Sequence, residues 1–223
     1  CFSLCLCVSV VQIGFMPFSY LADELKDLEA AGLRRHRRML ESTQGARIVV
    51  DGREYLSFCS NDYLGLANDP RVIAAFQAAA AEWGVGSGAS HLVSGHQRPH
   101  HELEEALADF TQRPRALLFS SGYLANLGLI GALADRHAVI YEDRLNHASL
   151  IDAARLSQAT VRRYRHANLA HLDTLMQDAV GEALIVTDGV FSMDGDVAPH
   201  AGLAALAQAR DAWLVVDEAH GFG

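Results

Sequence analysis

Two carboxylates and a histidine follow a short apolar segment near the end of the chain. Residues 213–216 read Trp-Leu-Val-Val, and Asp217, Glu218 and His220 come directly after them. Four consecutive apolar residues predict a short buried strand, and the C-terminal end of such a strand is where an open α/β sheet binds its ligands. Because a buried charge needs a partner of opposite sign, Asp217 is a candidate to bind a cation such as the protonated ring nitrogen of a cofactor. The alternative is that Asp217 caps a helix that begins at Glu218.

Polar residues also follow three other predicted strands. Ser121-Gly122 follows a strand over 115–119, Asn146-His147 follows one over 139–142, and Ser192 lies just beyond one over 183–187. A further strand is predicted over 161–164. At Gly122 a strand, a turn of small residues and a helix N-terminus come together, and this arrangement favours an anion such as phosphate. In an open α/β sheet these strand ends share one crevice.

Strands and helices alternate from residue 115 onward, which is typical of a mostly parallel sheet with helices on both faces. Helices are predicted at 71–83 and at 102–110, with Leu103 and Leu107 inward. Further helices run from the turn at 120–126 to Leu133, from the loop at 143–149 to Leu156, and over 171–179 and 201–210. The N-terminal part does not show this alternation. Its pattern predicts one helix from Phe18 to Met39 with a basic C-terminal end. A β-hairpin around the Asp51-Gly52 turn follows it.

Composition excludes several classes of function. The chain has 223 residues, is half hydrophobic and carries a net charge of −9, so wholesale binding to nucleic acid or to an anionic membrane is not expected. Three of the four cysteines lie in the first seven residues, which argues against a disulfide framework and favours a reducing, cytoplasmic setting.

Residues 1–15 are apolar and lack a basic n-region, so we expect them to be an extension before a natural start at Met16; a targeting segment is the alternative.

Two further motifs predict no site. The glycine-rich segment 84–90 follows a helix rather than a strand, which excludes the dinucleotide-binding fingerprint. Histidines at 91, 96, 100 and 101 cluster in sequence, but they lack the HExxH pattern or paired cysteines of a metal centre. No metal is therefore expected.

Five stretches in order resemble the α-oxoamine synthase family of fold-type I pyridoxal-phosphate enzymes. They are SNDYLGLA (60–67), LLFSSGYLAN (117–126), DRLNHASL (143–150), VTDGVFSMDGD (186–196) and VVDEAHGFG (215–223). The resemblance covers nearly everything after residue 58. It implies an N-terminal helix and hairpin segment at 16–58 and, at 59–223, the large cofactor-binding domain of that α/β fold, with its C-terminal part missing.

The resemblance implies pyridoxal 5′-phosphate as the cofactor and assigns residues to it. Gly122 and Tyr123 would hold the phosphate at a helix N-terminus. His147 would stack on the pyridine ring, and Asp217 would bind the pyridinium nitrogen and keep it protonated. Ser192 and His220 would hydrogen-bond the ring-side oxygen of the cofactor and neighbouring groups.

The resemblance also implies substrate contacts. Arg35 would pair with a substrate carboxylate, because arginine suits bidentate pairing; Arg34 is the alternative. Asn61 would order the active-site loop, and His147 would touch substrate as well as cofactor. The implied catalytic residues are His147, Asp217 and His220.

The implied reaction is a decarboxylative condensation of L-alanine with pimeloyl-CoA or a pimeloyl-carrier protein, by a homodimer. Other members of the family (glycine C-acetyltransferase, 5-aminolevulinate synthase and serine palmitoyltransferase) share the cofactor residues and remain alternatives. The Schiff-base lysine that the family requires is absent, since Lys26 is the only lysine and lies far upstream of the motifs. We therefore expect this chain to be an inactive fragment of an enzyme; a non-catalytic partner subunit of the same fold is the alternative.

Overall fold

The computed structural model describes residues 18–178 and 181–222. The chain divides into two compact units, the first ending at Gly95 and the second beginning at His96. The expected extension at residues 1–15 lies outside the described residues. Within the described part, no helix is both long enough and apolar enough to cross a lipid bilayer.

The described residues of the first unit form two α-helices, a hairpin and two short helical segments (Leu66–Asn68 and His91–Gly95). Its main elements are α1 (Tyr20–Ala30), β1 (Arg47–Val50), β2 (Arg53–Leu56) and α2 (Pro70–Trp83). Strands β1 and β2 pair antiparallel, and the turn residues Asp51 and Gly52 have φ angles of 52° and 72°. Two consecutive left-handed residues define the turn that an Asp-Gly sequence favours, so the predicted hairpin is confirmed.

The prediction of one helix from Phe18 to Met39 is wrong beyond Ala30. Gly32 has a φ of +66° and its N–H donates to Glu29 O, while the Leu33 N–H reaches back to Leu28 O. This pair of bonds is the Schellman motif, in which a left-handed glycine ends a helix. The arginines at 34–38 therefore follow the helix and do not form its last turn.

The second unit is an α/β layer structure. Its elements are α3 (Arg98–Thr111), α4 (Gly122–Leu133), β3 (Val139–Asp143), α5 (Ala148–Leu156), β4 (Thr160–Tyr164), α6 (Leu169–Met176), β5 (Ala183–Asp188), α7 (His200–Ala209) and β6 (Trp213–Asp217). The four strands form one parallel sheet in the order β4-β3-β5-β6. The parallel sheet predicted from the alternating pattern is confirmed.

Two hydrophobic cores lie on opposite faces of this sheet, because successive residues of a strand point to opposite sides. Ile140 and Leu184 pack with Ile130 of α4 and Leu150 of α5. Their strand neighbours, including Ile185, pack with residues of α6 and α7. Every residue of β5 is buried, as expected for a central strand covered on both faces.

The strand predicted over 115–119 does not form. Among the residues that the structure describes, no strand pairs with this segment, and the Leu118 N–H donates to the Glu104 carboxylate instead, at 3.0 Å. A strand needs a neighbour to complete its ladder, and an apolar pattern alone does not supply one. Helix α3 also differs from the prediction, since Leu103 is exposed and the buried position is Ala108.

Candidate functional site

The C-terminal ends of β3, β5 and β6 lie side by side along one edge of the sheet. Asp188 pairs with Asp217 in the β5–β6 register, and β3 runs parallel to β5 on its other side. Residues that follow these strands are therefore brought to one edge, as the sequence predicts. The chemistry of the site depends on what these residues contact.

A chain of hydrogen bonds joins Asp217 to His147. The Asn126 side-chain amide of α4 donates to Asp217 Oδ2 at 2.7 Å and to Ser149 Oγ at 2.9 Å. Ser149 Oγ lies 2.7 Å from His147 Nδ1. We call these four residues the Asp217–His147 relay; it connects the end of β6 to the start of α5 through the first turns of α4.

The backbone of His147 is fixed separately by Asp188. Its N–H donates to Asp188 Oδ2 at 2.8 Å, and the Asp188 side chain is almost fully buried. Burial raises the pKa of Asp188 to about 6, and the nearby Asp217 carboxylate adds to the rise. The His147 N–H and the imidazoles of His147 and His220 oppose it. The edge of the sheet thus holds two neighbouring carboxylates, of which Asp188 is the more deeply buried.

The second oxygen of Asp217 accepts from the Ala219 N–H at 2.9 Å. The residues after β6 form a turn, in which the N–H groups of Gly221 and Phe222 donate to Glu218 O. Asp217 thus caps this turn through the Ala219 N–H, although no helix is assigned to the described residues that follow β6. His220 lies half-buried in this turn.

Helix α4 begins at the edge where the phosphate was expected. Ser121 caps it by accepting the Leu124 N–H at 3.2 Å, and Gly122 is the first helical residue and is exposed. The first-turn N–H groups of a helix have no partner inside the helix. The Tyr123 hydroxyl donates to Asp152 of α5 at 2.5 Å, so its backbone rather than its hydroxyl is the available donor.

Ser192 lies in a tight loop between β5 and α7. The loop is closed by a bridge between Val190 and Val197, and Ser192 is exposed at its tip. None of the hydrogen bonds found among the described residues joins Ser192 to the Asp217–His147 relay. Arg35 and Asn61 belong to the first unit, where both are exposed and Asn61 accepts from the Tyr63 hydroxyl at 3.4 Å.

His166 fixes this loop to the sheet. Its Nδ1 lies 3.0 Å from Asp143 Oδ1 at the end of β3, and its Nε2 lies 2.7 Å from Asp196 Oδ2 in the loop. Burial alone would lower the pKa of His166, but the hydrogen bonds to the two carboxylates raise it above its ordinary value. When protonated, the ring donates at both nitrogens and holds the loop to the strand end.

Three side chains elsewhere in the second unit have the atoms that could bind a metal ion, although no metal site was predicted from the sequence. Nitrogen atoms of His96 and His101 and a carboxylate oxygen of Glu104 all lie within 4.8 Å of one another. Two imidazoles and one carboxylate can bind Zn²⁺. Glu104 already accepts the Leu118 N–H, and His101 lies 3.3 Å from Glu105.

Three residues of the site were not singled out from the sequence: Asn126, Ser149 and Asp188. Asn126 and Ser149 are buried polar residues on the faces of α4 and α5 that turn toward the core. A buried polar side chain on an apolar helix face requires a partner, and this was the available signal. The identity of the partner was not available, because Asn126 and Asp217 are separated by 91 positions.

Comparison with known proteins identifies relatives over most of the chain. The sequence model of the family described as aminotransferase class I and II matches residues 53–223. The 8-amino-7-oxononanoate synthase of Pseudomonas aeruginosa is 61% identical over 203 residues, which are 91% of this chain and 51% of that protein. The protein of the same name from Pseudomonas putida is 60% identical, covering 91% and 52%. The chain thus spans about half the length of the relatives that it matches.

Solved structures agree with this relationship. Serine palmitoyltransferase of Sphingomonas wittichii matches with a TM-score of 0.83 at 32% identity, over 89% of this chain and 51% of that one. A serine palmitoyltransferase of S. paucimobilis, with a bound PLP–myriocin aldimine, gives 0.82 at 32% identity over 89% and 53%. The 8-amino-7-oxononanoate synthase of Francisella tularensis gives 0.60 at 33% identity over 71% and 43%.

Proposed function

We propose a function from one premise: this chain belongs to the family of class I and II aminotransferases. The protein that carries it condenses L-alanine with pimeloyl-CoA or a pimeloyl-carrier protein and releases 8-amino-7-oxononanoate for biotin synthesis. A carbon–carbon bond forms between the α-carbon of alanine and the thioester carbonyl carbon. CoA or the carrier leaves as a thiol, and the alanine carboxylate is lost as CO2.

The observation that carries this proposal is the position of Asp217. It lies at the C-terminal end of β6 and is tied to His147 through Asn126 and Ser149. A half-buried carboxylate at this edge needs a cationic partner, and a protonated pyridine nitrogen is one.

The residues present fit pyridoxal 5′-phosphate. Each oxygen of Asp217 accepts one hydrogen bond from the protein, which leaves acceptor capacity for a ring N–H because a carboxylate offers about four lone-pair positions. The exposed ring of His147 offers a flat face for stacking, and the backbone N–H groups of Gly122 and Tyr123 would take the phosphate. When bound, the cofactor supplies an electron sink for the carbanion of the amino acid.

Other residues have supporting roles in the proposal. Ser192 and His220 would hydrogen-bond the ring-side oxygen of the cofactor. Arg35, with Arg34 as the alternative, would pair with a substrate carboxylate, and Asn61 would order the loop around it. We place the protein in the cytoplasm, as a homodimer.

The choice of alanine and a pimeloyl thioester is favoured by similarity. The two Pseudomonas relatives named 8-amino-7-oxononanoate synthase are 60% and 61% identical, whereas the serine palmitoyltransferases are 32% identical. A non-catalytic subunit is a weaker candidate, because it would have no use for Asp217, His147 and His220 together.

The test is a substrate comparison with the full-length protein that carries this chain. We expect CoA release from pimeloyl-CoA with L-alanine and pyridoxal 5′-phosphate, and the appearance of 8-amino-7-oxononanoate by mass spectrometry. Glycine with acetyl- or succinyl-CoA and serine with palmitoyl-CoA should react at least tenfold more slowly. Preference for any of these other pairs would overturn the substrate assignment, and Asp217→Asn should abolish turnover with every pair.

A further inference from the structure

We infer that Asn126 and Ser149 are positioning residues that hold His147 in one tautomer, with the ring proton on Nε2 and none on Nδ1. The inference rests on the proposed function in that His147 is the residue expected to cover the cofactor. The tautomer itself follows from the hydrogen bonds of the relay and is independent of any ligand.

The first step concerns the Asn126 amide. Its nitrogen has two hydrogens and no acceptor capacity, and both are used, on Asp217 Oδ2 and on Ser149 Oγ. The opposite orientation of the amide would place its oxygen against a carboxylate oxygen at 2.7 Å, where two acceptors repel. The charge on Asp217 therefore determines which way Asn126 points.

The second step concerns the Ser149 hydroxyl. Because its oxygen accepts from Asn126, its own hydrogen is available for the neighbour on the other side, His147 Nδ1 at 2.7 Å. The Ser149 backbone N–H is directed at the same ring nitrogen, at 3.2 Å. A backbone N–H can only donate, so Nδ1 must act as an acceptor.

The third step follows from the chemistry of imidazole. A neutral ring has one N–H and one acceptor nitrogen, so an acceptor at Nδ1 places the proton on Nε2. The Nε2–H is then the one donor that the ring can offer to a ligand, and its preferred ligand atom is a carbonyl or carboxylate oxygen. This tautomer suits a residue that touches both a cofactor and an acyl or carboxylate substrate.

Burial makes the relay rigid. Asn126 is 8% exposed and Ser149 is 1% exposed, and a buried donor left without a partner costs about 1–3 kcal/mol. The backbone of His147 is held in addition by Asp188. The ring is thus fixed at its backbone by one carboxylate and at Nδ1 by a chain that ends on another.

The experiment is multiple-bond ¹H–¹⁵N NMR of the histidine rings of the uniformly labelled full-length protein that carries this chain, prepared without cofactor. The His147 signals are identified as those lost in His147→Gln. We expect the cross-peak pattern of the Nε2–H tautomer in the wild-type protein. In Ser149→Ala, which removes the hydroxyl but keeps the backbone N–H, Nδ1 should stay unprotonated and its ¹⁵N resonance should move downfield because it loses one hydrogen bond, while Ser149→Thr should retain the wild-type shift.

His171 is an internal reference, since its Nδ1 accepts the Arg165 N–H at 2.9 Å. It should show the Nε2–H pattern in every variant that is folded, so its signals report whether a variant has kept its structure. A wild-type His147 with its proton on Nδ1 would overturn the inference even if both Ser149 variants failed to fold. An unchanged His147 Nδ1 shift in Ser149→Ala would remove the Ser149 hydroxyl from the positioning role. Because no cofactor is present, neither result depends on the proposed reaction.

Discussion

Replacing Asp188 by asparagine should stabilise the protein at neutral pH. The carboxylate is 4% exposed, and burial together with Asp217 raises its pKa from 3.8 to about 6. Asparagine is nearly isosteric, and its side-chain oxygen can accept the His147 N–H that the carboxylate now accepts. The substitution therefore removes a buried charge and keeps the hydrogen bond.

The sign and size of the change in stability follow from the link between proton binding and folding. A carboxyl group whose pKa is higher in the folded than in the unfolded protein favours folding when protonated, so stability is lost as pH rises from about 4 through 6. One pKa unit is worth about 1.4 kcal/mol, so the full loss for a rise from 3.8 to about 6 is about 3 kcal/mol. Asp188→Asn should not show this loss.

The assay is urea unfolding of both proteins at several pH values between 4 and 8, followed by circular dichroism. The free energy of unfolding of Asp188→Asn, relative to wild type, should grow by about 2.5 kcal/mol between pH 4 and pH 7, most of the full difference, and then level off. The exposed acid Asp194 is the matched control, and Asp194→Asn should show no such growth. A difference for Asp188→Asn that does not change with pH, or that shrinks as pH rises, would refute this reasoning.

Two other ionic contacts give predictions about stability. Arg163 donates to the buried Glu142 carboxylate, so Arg163→Met should cost about 2 kcal/mol in urea unfolding because it leaves a buried charge without its partner. Arg155→Met breaks an exposed pair and should cost less than about 0.5 kcal/mol; equal losses would contradict the distinction. The pKa of His166 is raised above 6.5 by its two carboxylate partners, so wild type should lose stability, relative to His166→Gln, as pH rises from about 6 to 8. A difference that does not vary over this range would show that the ring does not hold the loop by its charge.

The elements that could be predicted from the sequence are those whose signals are local. Asp51-Gly52 requires a left-handed two-residue turn, and the hairpin formed where this predicts. Asp69-Pro70 begins α2, and Asp69 caps it by accepting the Arg71 N–H. Gly32 carried an equally local stop signal, but the basic residues after it favoured a longer helix.

The features that could not be predicted depend on contacts between residues far apart in the sequence. The apolar run at 115–119 has the composition of a strand, but strand formation is decided by whether another strand lies beside it. The Asp217–His147 relay has the same character, since its asparagine and its carboxylate come from elements far apart in the chain. The sequence located Asp217 and His147 at the same edge of the sheet, and the connection between them required the coordinates. The roles assigned to Ser192, Arg35 and Asn61 stay predictions.

The most direct test of the cofactor site is the protonation state of the pyridine nitrogen in bound pyridoxal 5′-phosphate. The ¹⁵N chemical shift of the ring-labelled cofactor, added to the full-length protein that carries this chain, reports whether this nitrogen bears a proton. We predict a protonated nitrogen at pH 8 in the wild-type protein and an unprotonated one in Asp217→Asn. A bound cofactor whose nitrogen is unprotonated in wild type, or whose shift is the same in both proteins, would contradict the assignment of Asp217 and the function built on it.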